Sequence, residues 1–124
     1  MRAPEPIPGA RVVASPADLD GLLTEGAPVL RFAPDEAFVL AETAMNAEGG
    51  PGISEMEYGF VGWWLSADEL AEALHHVEWA VPEARPVLLQ GLVAGVPARL
   101  WLAADRSLLL VHAAYAHELV ARLP

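Results

Sequence analysis

"GFVGWWLSADELAEALHHVEW", residues 59–79, carries three of the four tryptophans and two of the four histidines of this 124-residue chain. Its first part, "GFVGWWLS", joins aromatic and β-branched residues in a run too short for a free-standing helix, and it reads as a strand. Gly59 and Gly62 mark a bulge or a close backbone approach. Ser66 followed by Glu69 is a capping-box pattern, and Leu65 can staple to Leu70 across the helix start. The spacing predicts a helix to about Val77. Leu70, Leu74 and Val77 form its apolar stripe, and Ala67, Ala71 and Ala73 allow close approach. A strand feeding a helix is therefore the nucleus from which the rest is read.

Adjacent strand residues point to opposite faces, so one of Trp63 and Trp64 enters the core. The other either meets a partner or lies on a strand buried on both faces. His75 and His76, on the last helical turn, are favoured there by the helix dipole, and Glu72 sits four residues before His76. Neighbouring helical positions diverge by roughly 100°, so the two imidazoles do not chelate one ion together. Glu72 and His76 supply at most two ligands. A further one, for which His117 is a candidate, has to come from elsewhere. The run reads as a solvated helix end, and neither metal nor cofactor is expected.

Working outward, residues 1–9, with Pro4, Pro6 and Pro8, read as an extended N-terminal arm. "RVVAS" is a short strand. "SPADLDGLLTEG" is a helix with Ser15 as cap, Pro16 in the first position and Gly26 as stop. Two apolar runs, 29–32 and 38–40, flank "APDE" and read as a hairpin. "TAMNAEGGPG" is a loop, and "ISEMEY" alternates like a strand. "VLLQGLV", "PARLWLA" and "SLLLVH" form an antiparallel meander turning at Ala94-Gly95 and Asp105-Arg106. "AAYAHELVARL" closes the chain as a helix with Ala116, Leu119, Val120 and Leu123 inward. This mixture predicts an α+β fold, a single domain over 10–124 with a mostly antiparallel sheet and helices packed on one face.

Composition excludes several function classes. No cysteine is present, so disulfides, thiolate metal sites and cysteine nucleophiles are absent. Seventeen acids face seven bases, all of them arginine and scattered, for a formal charge of −10. Nucleic acid and anionic membranes, which need clustered cations, are not expected partners. The acidity instead suits solubility in a chain that is 54% apolar. No apolar run has signal-peptide or membrane-span character, so the expected location is the cytoplasm. Glycine-rich phosphate loops and a G-x-S-x-G elbow are missing. Glu55 and Glu57 share one strand face and are the one carboxylate pair with a possible cation or acid–base role.

"RFAPDEAFVL" (31–40) and "PVLLQGLVAGVPARLWLAADRSLLLVHAAYAHELVARL" (86–123) resemble the gamma subunit of heterotetrameric sarcosine oxidase and, more distantly, the aminomethyltransferase (glycine-cleavage T-protein) family. The resemblance follows a strand pair around "PDE", a strand-to-helix step, a "VP" meander and a closing helix, in order over most of 28–123. Ala37 stands where the family often has tryptophan, and "SEMEYG" replaces its polar run before the strand-to-helix step. The resemblance implies a ferredoxin-like α+β fold and a non-catalytic accessory or interaction role, beside larger oxidase-like subunits or as a homodimer. No catalytic residue is carried over. The alternative is a small-molecule-binding protein or small enzyme whose pocket is walled by Tyr58, Phe60, Trp63 or Trp64, with Glu55 and Glu57 as its acidic groups.

Overall fold

A computed structural model describes residues 1–22, 28–41 and 52–124. In chain order the elements are β1 (Glu5–Pro6), β2 (Gly9–Val13), α1 (Pro16–Leu22), β3 (Val29–Ala33), β4 (Glu36–Leu40), β5 (Ile53–Glu57), β6 (Phe60–Leu65), α2 (Ala67–Leu74), β7 (Val87–Val93), β8 (Val96–Leu102), β9 (Ser107–His112) and α3 (Ala113–Arg122). They divide into two compact units, Ile7–Tyr58 and Met1–Pro6 with Gly59–Pro124. Each unit has its own antiparallel sheet, so the strands do not join in the one sheet expected from sequence. The division is sharpest at Tyr58-Gly59, where β5 ends pairing with β2 and β6 starts pairing with β9.

The Ile7–Tyr58 unit orders its strands β3-β4-β2-β5. Pro34 and Asp35 make the tight turn of the expected β3–β4 hairpin, in which Val29 faces Val39 and Leu30 faces Phe38. Ser15 caps α1 as read from sequence, its Oγ accepting from the Asp18 N–H at 3.2 Å. Leu19 and Leu22 of α1 are buried in one cluster with Ala10, Val12, Val29, Ala37 and Val39, the alternate residues of one sheet face. Arg31 ties the helix to the hairpin, donating to Asp20 Oδ1 (2.7 Å) and to the carbonyls of Pro16 (3.2 Å) and Pro34 (2.7 Å). Gly9 starts β2 because the Phe38 ring occupies the space a side chain would need, 2.5 Å from an ideal Cβ. The helix stop at Gly26 and almost all of the "TAMNAEGGPG" loop fall outside the described residues.

In the other unit the order is β1-β6-β9-β8-β7. The meander forms as expected, with a two-residue loop of Ala94 (φ 50°) and Gly95 (φ 80°) between β7 and β8. Residues 1–9, expected as an arm, are drawn into both sheets. Glu5 and Pro6 pair with Gly62 and Val61, and Gly9 pairs with Leu40 and Glu57. The capping box is complete. Ser66 Oγ accepts from the Glu69 N–H at 3.1 Å, and Glu69 Oε1 accepts from the Ser66 N–H at 3.0 Å.

The second helix ends at Leu74, short of the expected Val77. Its last amides turn to tighter i→i−3 partners: His75 to Glu72, His76 to Ala73 and Val77 to Leu74. The His76 carbonyl then accepts from Ala94 N–H at 3.0 Å, so a tertiary bond takes the group a longer helix would have used. Beyond it, Val77, Trp79 and Val81 alternate onto the core cluster. That cluster joins α2 and α3 to one sheet face through Trp63, Leu65, Ala73, Leu100, Leu102, Leu109, Val111, Ala116 and Leu119. Because every neighbouring pair is antiparallel, β6 and β7, at the two ends of the run β6-β9-β8-β7, point in opposite directions. Among the described residues no helix is long and apolar enough to cross a membrane.

Candidate functional site

Side-chain period places the sequence-selected aromatics on two faces of β6. Trp63 looks toward the helices and is fully buried. Its indole N–H donates to the Arg2 carbonyl at 2.7 Å, which satisfies the only polar atom of the ring. Arg2 is itself fixed, donating to the Trp64 carbonyl at 2.6 Å and to Glu69 Oε2 at 3.1 Å. The Arg2 hydrogen bond, followed by the backbone bond from Ser66, holds the Glu69 carboxyl below its ordinary pKa.

Trp64 lies on the opposite face and is half-buried. It sits in a row across four strands, Trp64–Leu108–Trp101–Leu88. The two indoles meet edge to face with centroids 6.3 Å apart. The Arg106 guanidinium lies over both, 5.2 Å from Trp64 and 5.6 Å from Trp101. Phe60 shares this face. It is buried, stacks on His112 at 4.6 Å and has Arg99 5.6 Å from its centroid. Trp63 therefore cannot line one wall with Phe60 and Trp64.

Glu55 and Glu57 stand on β5, where Glu55 is register partner to Arg11 and Glu57 to Gly9. Arg11 is ion-paired to Glu36. The Glu36 hydrogen bond and charge, with smaller contributions from Glu57 and Glu55, hold the Arg11 guanidinium above its ordinary pKa. The two acids are thus neighbours of a cation already paired. Tyr58, just beyond β5, is 71% exposed.

His75 and His76 both turn toward Glu72, with nitrogens 3.9 and 3.7 Å from its two carboxylate oxygens. Among the described residues no three His, Asp or Glu side chains gather as a metal site requires. His117 lies exposed on α3.

Two features were not found from sequence. One is a cleft of about 460 Å³ whose lining includes Gln90, Leu92, Arg99, Leu110, His112 and Tyr115. These residues come from β7, β8, β9 and α3, and no local pattern signals their meeting. The other is the position of the apolar side chains left in solvent. Ile53 (70% exposed) and Val13 face each other across β5 and β2, and Leu92 (54%) stands on β7. Among the described residues both β5 and β7 are edge strands. The signal for β7 was present in "VLLQGLV", a meander strand with no charged residue.

Compared with protein-family models, curated proteins and solved structures, the chain matches none.

Proposed function

We propose that this chain is a non-catalytic interaction domain, which works by offering sheet edges and the apolar side chains on them to another protein chain. The observation that carries this reading is the place of the exposed apolar residues. Leu92 and Ile53 stand on edge strands, where a partner can bury side chains and complete a ladder together. A scattered exposed leucine needs no explanation, but Ile53 and Leu92, the two most exposed large aliphatic side chains among the described residues, both stand on edge strands.

The likeness to the sarcosine oxidase gamma subunit supports an accessory role, and on that reading the partner class is a larger oxidase-like subunit or a second copy of the chain. The ferredoxin-like arrangement belongs to the same proposal. What supports it is an antiparallel sheet whose β6 runs directly into α2 and whose one face carries α2 and α3.

The test is native mass measurement in extract of the producing cells, with in-cell crosslinking read by mass spectrometry. The expected result is a complex heavier than one chain, with crosslinks from residues flanking β5 or β7. A chain that migrates at its own mass and crosslinks to no polypeptide overturns the reading.

A further inference from the structure

We propose that the cleft between the end of α2 and β7 receives an arginine of a different, basic protein chain, with Glu78 as its counter-charge. This deepens the interaction reading above and rests on it, naming a surface and the chemistry of the partner.

The chain's own cations are all engaged internally. It has seven arginines and no lysine. Four arginines are paired with carboxylates: Arg2 with Glu69, Arg11 with Glu36, Arg31 with Asp20 and Arg122 with Glu118. Arg85 donates to the carbonyls of Pro82 (2.6 Å) and Ala84 (2.8 Å), and Arg99 donates to Gln90 Oε1 (2.9 Å). Arg106 lies over Trp64 and Trp101. The formal charge is nevertheless −10. A second copy brings the same excess of acid and no spare arginine, so contact between copies gains nothing from charge. A partner with a basic surface gains at each exposed carboxylate it meets. Charge balance therefore selects a different chain over a second copy.

A place for a basic side chain to enter lies beside β7. A cleft of about 590 Å³ has His76, Glu78, Trp79, Gly91, Leu92 and Ala94 in its lining. Its walls are held before anything binds. The His76 carbonyl accepts from the Ala94 N–H at 3.0 Å, which ties the segment after α2 to the β7–β8 loop. Trp79 packs on the core cluster and lies over Gly91, where an ideal Cβ would stand 2.9 Å from the indole. Fixed walls lower the ordering cost of binding.

Three groups of unlike chemistry meet in this cleft. Glu78 is exposed, and among the described residues no cation meets it. The Trp63 N–H is held by the Arg2 carbonyl, whereas among the described residues the Trp79 N–H has no acceptor. It is not one of the buried unpaired polar atoms, so it is open to an incoming group. Leu92 is 54% exposed. The complementary segment presents a guanidinium to Glu78, a backbone carbonyl to the indole N–H and an apolar side chain to Leu92. Arginine suits this place better than lysine, because its planar fork grips a carboxylate through two hydrogen bonds and it is the cation that most often anchors an interface.

The probe is the peptide acetyl-Leu-Arg-Leu-amide, beside the same peptide with citrulline, the neutral isostere of arginine. Each is titrated into the purified full chain labelled with nitrogen-15. The Trp79 indole N–H signal is followed, assigned by its loss in Trp79→Phe. The expected result is a saturable shift of that signal and of the Leu92 amide with the arginine peptide. Citrulline in place of arginine, or Glu78→Gln, should weaken binding about five-fold, as loss of one ion pair does. Asp18→Asn, the same charge change on α1, should leave it unaltered. Absence of a saturable shift with the arginine peptide overturns the site. So does equal binding of the citrulline peptide, and so does an equal loss with Asp18→Asn, which marks attraction by net charge alone. A purified chain of twice the single-chain mass, with the Trp79 signal already at its peptide-bound position, gives the cleft to a second copy and overturns the choice of partner. If the site fails while the extract still holds a heavier complex, the interaction reading stands without this cleft. A chain at its own mass in extract removes that reading and the docking role of the cleft with it.

Discussion

On the helix-covered face of the five-stranded sheet, Trp63 is fully buried and its N–H is satisfied by the Arg2 carbonyl. On the other face its neighbour Trp64 is half-buried, edge to face with Trp101 and under the Arg106 guanidinium. Two identical residues, one peptide bond apart, thus hold different positions. The difference teaches that composition of a strand does not decide what its aromatics do. Period-two geometry assigns each a layer, and the layer decides whether the ring is locked by packing or left under an exposed cation.

The largest effect should come from the locked ring. Trp63→Ala is expected to cost about 3–5 kcal/mol by urea denaturation, and Trp64→Ala about half of that, because half of its surface gain is missing to begin with. Equal losses would break the comparison and put both rings in equivalent layers.

Next is the third cover of the helix-side face. Gly91→Ala sets a Cβ 2.9 Å from the Trp79 indole, so the ring has to shift. About 1–3 kcal/mol of destabilisation is expected, with red-shifted tryptophan emission as Trp79 moves toward water. An unchanged emission spectrum and an unchanged midpoint would show that the ring does not stand in for the missing side chain.

Helix entry should matter less. Ser66→Ala removes the cap and is expected to cost about 1 kcal/mol. The same corner carries a pH dependence. The folded pKa of Glu69 is lowered, chiefly by Arg2, so its stabilising contribution is present above the unfolded glutamate value. It is lost as pH falls through the lowered folded value. Arg2→Ala should remove that part of the acid limb. An acid limb of the same shape in the variant would take the Arg2–Glu69 pair out of the account.

The smallest effect sharpens the account of the face that carries Trp64. Arg106→Ala is expected to cost about 0.5–1 kcal/mol, the range of a solvent-exposed cation–π contact. The readout that isolates it is iodide quenching, which should rise for Trp64 and Trp101. Quenching at the wild-type level would mean that Arg106 does not shield the two rings.

Much of the local structure was legible because its causes are local. The Ser66–Glu69 capping box, the Ser15 cap, the turn at Pro34-Asp35 and the Ala94-Gly95 loop each depend on a few adjacent residues, and each stands where the chain indicates. The α+β class and the inward side of α3, with Ala116 and Leu119 buried, were legible for the same reason. The end of α2 was not. The helical pattern continues to Val77, but the His76 carbonyl is taken by Ala94, a residue distant in sequence. The candidate site was legible only as residue types. The sequence offered Tyr58, Phe60 and either Trp63 or Trp64, with Glu55 and Glu57, as one neighbourhood. In the fold Trp63 is the one that enters the helix-side core, and Glu55 is the register partner of an Arg11 already held by Glu36.

By itself, then, the sequence determined the order and type of the elements after the first nine residues, the apolar sides of the second and third helices, and that no cysteine chemistry is available. Local sterics, capping and periodicity suffice for those. Only the tertiary structure decided that β5 and β6, two residues apart, belong to different sheets, that Glu5–Pro6 pairs with β6, that Trp63 and not Trp64 enters the helix-side core, and that β7 ends at a sheet edge. Strand partnership is a contest among pairings distant in sequence. It is settled by which combination buries the most apolar surface while closing the most backbone hydrogen bonds, and no single segment carries that sum.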